Sequence, residues 1–125
     1  MAYDKTMNDN QKLEQLLGEQ QFMVLAVTLE DGTPWAVPVR IGKREGSEFW
    51  WDSAFAAEHS KAIAGGNSAV AITVYKKTDE VHIGFYAKGK AELVEEIKPG
   101  FGRYKFVAAQ CWLNDETFVK REVQL

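Results

Sequence analysis

The stretch that decides the fold is Phe22-Met23-Val24-Leu25-Ala26-Val27-Thr28-Leu29, followed by Glu30-Asp31-Gly32-Thr33 and then Pro34-Trp35-Ala36-Val37-Pro38-Val39-Arg40-Ile41. A short apolar run rich in β-branched residues reads as a strand. Asp31-Gly32 tolerates the positive φ angles of a tight turn, so the strand enters a hairpin. In the returning run Trp35, Val37, Val39 and Ile41 alternate onto one face. Pro38 removes a backbone donor in its middle, which predicts an edge or irregular strand rather than a fully paired central one.

The same pattern extends along the chain. Upstream, Leu13, Leu16 and Leu17 have helical spacing over Asn10 to Leu17, with Asn8, Asp9 or Asn10 to cap the start and Gly18 to end it. Downstream, Phe49-Trp50-Trp51-Asp52 predicts a strand. The alanine-rich Ala54 to Ala64, closed by Gly65 and Gly66, predicts a short helix. Ala69 to Tyr75 and Val81 to Val94 form a second hairpin, with Ile83, Phe85, Ala87, Gly89, Ala91 and Leu93 at period two. Pro99, Gly100 and Gly102 interrupt the next segment. Arg103 to Gln110 reads as a helical turn or two, and Cys111 to Asp115 and Thr117 to Leu125 as closing strands. About six strands joined by hairpins, with only brief helices, predict a mainly β fold. An antiparallel barrel removes exposed sheet edges, and a sandwich is the alternative.

Composition bounds the function. The 125 residues fit one domain, 1–125, and 46% hydrophobic with 26% charged residues is a globular balance. A net charge of -3 provides no general field for a polyanion, so nucleic acid is not an expected partner. Phe22 to Val27 is far shorter than the roughly 20 residues of a membrane helix, and the N-terminus lacks the basic and apolar regions of a signal peptide. No membrane association and a cytoplasmic location are expected. One cysteine, Cys111, and two histidines, His59 and His82, cannot form an internal disulfide or the usual zinc cage of nitrogen and sulfur ligands, so no metal is expected.

In order along the chain stand the apolar strand, Asp31-Gly32-Thr33-Pro34, Val37-Pro38-Val39, Phe49-Trp50-Trp51-Asp52-Ser53, Glu58-His59-Ser60-Lys61-Ala62-Ile63 and Gly89-Lys90-Ala91-Glu92-Leu93-Val94. This succession, over roughly residues 12 to 95, resembles the pyridoxamine 5'-phosphate oxidase-like family of FMN-binding split barrels. The resemblance implies a six-stranded antiparallel split β-barrel with short flanking helices. It also implies a homodimer with two flavins at the interface, contacted by both subunits. By the same resemblance the strand Val37, Pro38, Val39 and Arg40 lays its backbone along the flavin ring, while Ser53 and Lys61 reach the phosphate. Two positions depart from the family: Ala57 and Ala62 stand where many relatives carry a serine and an asparagine, which removes two polar groups. The C-terminal substrate-contacting pattern of true pyridoxamine-phosphate oxidases is not recognisable in Trp112 to Arg121, and vitamin B6 oxidation is not predicted.

The residues support the same cofactor on chemical grounds. A flavin is a flat, mostly apolar ring with a polar edge and a phosphate tail, so its pocket needs apolar walls, backbone partners and a few donors. Val37, Pro38, Val39 and Trp51 offer walls. Pro38 interrupts pairing, which predicts that backbone groups of Val37 and Val39 face a ligand. Ser53, His59, Ser60, Lys61 and Arg40 offer phosphate donors, and a helix beginning after Ser53 would add its positive end. Each residue also has a bland role: barrel core for Val37, Val39, Trp50 and Trp51, a helix cap for Ser53, a solvated cation for Lys61. The expected function is an FMN-dependent oxidoreductase acting on an unknown small molecule, with no catalytic residue identifiable. The alternatives are a non-enzymatic flavin-binding or sensing module, or a binder of F420 or haem on the same fold.

Overall fold

Asn8 starts the first helix, because its side chain accepts from the Gln11 backbone N–H at 2.8 Å while the Gln11 side chain accepts from the Asn8 N–H at 2.9 Å. The computed structural model describes residue 3 and residues 6–125. Helix α1 (Asp9–Glu19) runs through Gly18, which the sequence marks as its end, and turns Leu13, Leu16 and Leu17 into the core. Strands β1 (Phe22–Thr28) and β2 (Pro34–Arg40) form the predicted hairpin. Gly32 has φ +86°, and Asp31 accepts from the Thr33 N–H and hydroxyl to close the turn.

Next come β3 (Lys43–Glu45), β4 (Glu48–Ala54), helix α2 (Glu58–Ala64), β5 (Ala69–Lys77), β6 (His82–Lys98), β7 (Phe101–Asn114) and β8 (Arg121–Val123). All pairings are antiparallel, in the order β2-β1-β5-β6-β7-β4-β3, with β8 added to β7. Six strands of seven residues or more make the body, and β3 and β8 are three-residue additions. The sheet does not close by a ladder between β2 and β3, which leaves the split. Inside lie Met23, Leu25, Ile72, Val74, Phe85, Phe106 and Leu113; Phe49 packs on Phe85 and Phe106 with ring centroids 6.0 and 6.1 Å apart.

Three expectations are corrected. Arg103 to Gln110 is no helical turn but the middle of β7. Gly100, at φ +86°, turns the chain, and residues on both sides pair along the whole hairpin. A bulge explains the missing signal: Lys88 pairs with Gln110 but Gly89 with Ala108, so Ala109 is an extra residue and the inward set shifts from Tyr104 and Phe106 to Cys111 and Leu113. Second, Ala54 stays in β4 opposite Phe101, and the helix begins only at Glu58, with Ala57 as an N-cap that makes no side-chain bond. Third, Thr117 to Leu125 contains one short strand, Arg121–Val123, because Asp115 and Thr117 bond to each other in a turn instead.

One row on the outer face of the sheet carries no charged residue. Register places Pro38, Val24, Thr73, Tyr86 and Trp112 in one row across five strands, beside a row of Ala36, Ala26, Ala71, Lys88 and Gln110. Among the described residues no helix is long and apolar enough to cross a membrane.

Candidate functional site

The split exposes the outer edge of β2. The Ile41 N–H bonds to the Gln21 carbonyl and the Leu29 N–H to that of Thr33, and antiparallel pairing alternates every second residue between these two ends. The pairs Met23–Val39, Leu25–Val37 and Val27–Trp35 are therefore the mutually bonded ones. This corrects the expectation for Val37 and Val39, whose backbone groups are turned to β1. The open edge instead carries the N–H and carbonyl of Ala36 and Arg40 and the carbonyls of Pro34 and Pro38. Both prolines stand where the missing N–H would have faced outward, so neither costs the hairpin a bond.

Across the split, Ser53 is the last but one residue of β4, and a turn carries the chain into α2. The Ser53 hydroxyl oxygen lies 2.8 Å from His59 Nε2, the contact that joins the strand end to the helix. His59 is 7% exposed, and burial alone pushes its pKa below the ordinary histidine value, so the ring is neutral at pH 7. Lys61, 61% exposed at its side chain, pairs loosely with Glu58 at 3.8 Å and remains available to an anion. Ser60 is 1% exposed, and its hydroxyl has no partner; the Trp51 indole N–H is also buried without one. Buried donors without acceptors are uncommon, and these two stand near Ser53 and His59 in sequence.

The expected site residues divide by face. Val37 and Val39 point to the barrel interior, Val39 buried and Val37 half-buried; Pro38 and Arg40 point outward. The Arg40 guanidinium donates to Gln21 at 3.0 Å and lies over the Phe22 ring, so its side chain is directed away from Ser53. Trp51 does not line an open wall: it is 1% exposed and stacked on Tyr104 with centroids 5.7 Å apart. Ser53 and His59 are brought together, with Lys61 on the same short helix. A helix of seven residues beginning five positions after Ser53 does not supply the aligned dipole expected there.

Two features escape the sequence. Gly102 lies opposite Ser53, where an added Cβ would meet Phe55 at 2.5 Å and Leu93 at 2.6 Å; the Phe55 side chain thus closes over the strand beside the site. On the outer face, Gly42, Lys43, Trp50, Asp52 and Arg103 line a cavity of about 350 Å³. There Arg103 donates to Asp52 at 3.0 Å, and the Lys43 ammonium lies over Trp50. The Asp52–Arg103 cross-strand pair could have been read only with 101–114 recognised as a strand.

A search of curated proteins found no match. Solved structures share the fold. A protein from Clostridium acetobutylicum related to general stress protein 26, of the pyridoxinephosphate oxidase family, superposes with TM-score 0.77 at 12% identity, covering 91% of this chain and 92% of that one. General Stress Protein 26 from Bacillus anthracis gives 0.71 at 14% identity, covering 94% and 100%. A heme binding protein from Mycobacterium smegmatis gives 0.76 at 15%, covering 87% of this chain but 55% of that longer one. The pyridoxamine 5'-phosphate oxidase family model matches residues 10–123, and the chain belongs to that family.

Proposed function

We propose that the protein binds flavin mononucleotide and acts as a homodimeric, cytoplasmic, flavin-dependent oxidoreductase on a small molecule. The observation that carries this reading is the split itself: an unpaired backbone edge on β2 flanks it, the Ser53 hydroxyl meets the His59 imidazole at 2.8 Å, and the exposed Lys61 ammonium stands on the same short helix as His59. The residues fit the group. Ser53 and Lys61 would hold the phosphate, and the two N–H groups and four carbonyls left free on the β2 edge would meet the polar edge of the ring. When bound, the flavin supplies the electron transfer, while the chain positions it and excludes water.

The outer row of Pro38, Val24, Thr73, Tyr86 and Trp112, which carries no charge, supports the homodimer, because an antiparallel sheet facing only water ordinarily alternates to polar residues on that side. A single, buried, free Cys111 accords with a reducing compartment. The test is the visible spectrum of the purified protein before and after excess FMN and desalting. Retained flavin bands support the reading, and anaerobic reduction by NADH or NADPH separates an oxidoreductase from a sensing module. A colourless protein that retains no FMN refutes it. The heme binding protein with the same fold gives haem as the second reading, and a Soret band would favour it.

A further inference from the structure

We propose that binding of a phosphate monoester at Ser53 is coupled to the uptake of one proton by His59, which makes His59 a positioning residue that aims the Ser53 hydroxyl at the ligand. The inference rests on the flavin mononucleotide reading and adds to it a proton linkage at the phosphate end.

The geometry leads there through the count of hydrogens. Between Ser53 Oγ and His59 Nε2, 2.8 Å apart, there is room for one hydrogen. With no ligand, the hydroxyl can donate to a neutral Nε2. A phosphate at Ser53 needs that hydroxyl hydrogen for itself, since an anionic oxygen only accepts. The hydroxyl then turns away from the ring, and Nε2 faces a lone pair and must carry a hydrogen. It can gain one from solvent, giving an imidazolium with both ring nitrogens protonated, or by moving the Nδ1 hydrogen to Nε2 with no net uptake.

Charge decides between these two routes. His59 is buried, and its neutral form is favoured by burial alone, with no charged group acting on it. Helix α2 packs on β1, which has no ionisable side chain, and on β6, whose charged Lys88, Lys90, Glu92, Glu95, Glu96 and Lys98 are all exposed and whose His82 and Tyr86 are half-buried. On β4, Asp52 points outward to Arg103. On α2 itself, Glu58 and Lys61 pair with each other in solvent. The arriving phosphate is therefore the first charge to act on the ring, and at this distance in a partly buried site a dianion favours the imidazolium strongly. A group whose pKa rises on binding takes up a proton, so affinity is highest at low pH and weakens as pH rises through the interval between the free and bound values.

The experiment is calorimetric titration of the full chain with FMN, at pH 7, in two buffers of different ionisation enthalpy. The expected result is uptake approaching one proton per FMN. Affinity should fall by up to about tenfold per pH unit within the linked interval. His59→Gln keeps a donor toward Ser53 but cannot titrate, and should bind FMN with uptake near zero and a flat profile above pH 7. This variant also removes the ambiguity of the phosphate's own second ionisation near about pH 6, which it leaves intact. Riboflavin should bind without uptake, and inorganic phosphate alone should show the same linkage as FMN, which locates the effect at the phosphate. Imidazole NMR of the unsubstituted protein needs no variant: the His59 pKa should rise when FMN is added. FMN binding without proton uptake, or uptake undiminished in a folded His59→Gln, overturns the proton linkage and leaves the flavin reading intact. No FMN binding at any pH overturns both.

Discussion

Asp115→Asn is predicted to destabilise the fold by about 3 kcal/mol. Asp115 sits at the end of β7 and is fully buried; its carboxylate accepts from Lys12 Nζ at 2.9 Å, Arg121 Nη2 at 2.8 Å, and the Thr117 hydroxyl and N–H at 2.7 and 3.1 Å. These bonds join α1, β7 and β8, because Arg121 also donates two bonds to Asp9 in the first turn of α1. Burial pushes the Asp115 pKa up, but the bonds from Arg121, Thr117 and Lys12 outweigh it and hold the carboxyl far below its usual range. Asparagine preserves size and an acceptor but removes the charge, leaving the Lys12 ammonium, 10% exposed, without the carboxylate it bonds. Breaking a buried pair on one side costs about 3–5 kcal/mol, and the retained amide places this substitution at the lower end. For a 125-residue chain, about 4 °C per kcal/mol gives a Tm drop of about 12 °C. Urea unfolding followed by circular dichroism at pH 7 measures it. Lys12→Met in the same background should recover part of the loss, since it removes the stranded charge. The pH dependence has a definite sign: a carboxyl with a depressed folded pKa stabilises above its unfolded value of about 4 and loses that contribution as pH falls below it. The gap between the two proteins should narrow in acid. A loss under about 1 kcal/mol at pH 7 with unchanged slope would refute the reasoning.

Gly89→Ala should fail to fold or lose several kcal/mol, because a Cβ there would meet the Val107 carbonyl oxygen at 2.0 Å across the bulge; a thermal melt of the soluble fraction checks it. Val24→Glu places a charge in the middle of the outer apolar row, and light scattering at micromolar concentration should show a monomer with an unchanged circular dichroism spectrum; a persisting dimer would move the interface elsewhere. Lys61→Ala should weaken FMN by about tenfold and leave riboflavin unchanged, the loss of one exposed charge-assisted bond to the phosphate, read by fluorescence titration.

The hairpin and the edge position of β2 are legible in the sequence because both are local. Asp31-Gly32 fixes the turn, and a proline in a strand restricts that strand to positions where its missing N–H harms nothing. Local signals also fail at one identifiable place. The extra Ala109 in β7 reverses which parity of residue points inward, so the segment from Arg103 to Gln110 loses the alternation that marks a strand and acquires a false helical appearance. The same limit governs the site. The opposite faces of Val39 and Arg40 follow from period two, but the meeting of Ser53 with His59 depends on a turn between strand and helix. The composition of that turn, alanines around Phe55, reads as continuous helix.

The prolines of β2 connect fold and site more closely than their role as strand markers implies. Pro34 and Pro38 both direct their missing donor to the open edge, and between them only Ala36 offers a complete N–H and carbonyl pair. A second strand placed there would leave carbonyls unmatched at alternate positions, so neither β4 from within nor another chain from outside gains a full ladder by docking. The split is thereby kept open by the backbone of β2 itself. An edge that cannot pair with a strand still presents acceptors and a few donors to a smaller group, whose polar atoms need not repeat at strand spacing. The feature that protects the sheet from edge-to-edge association is thus the one that leaves the β2 backbone free for the flat ligand proposed above.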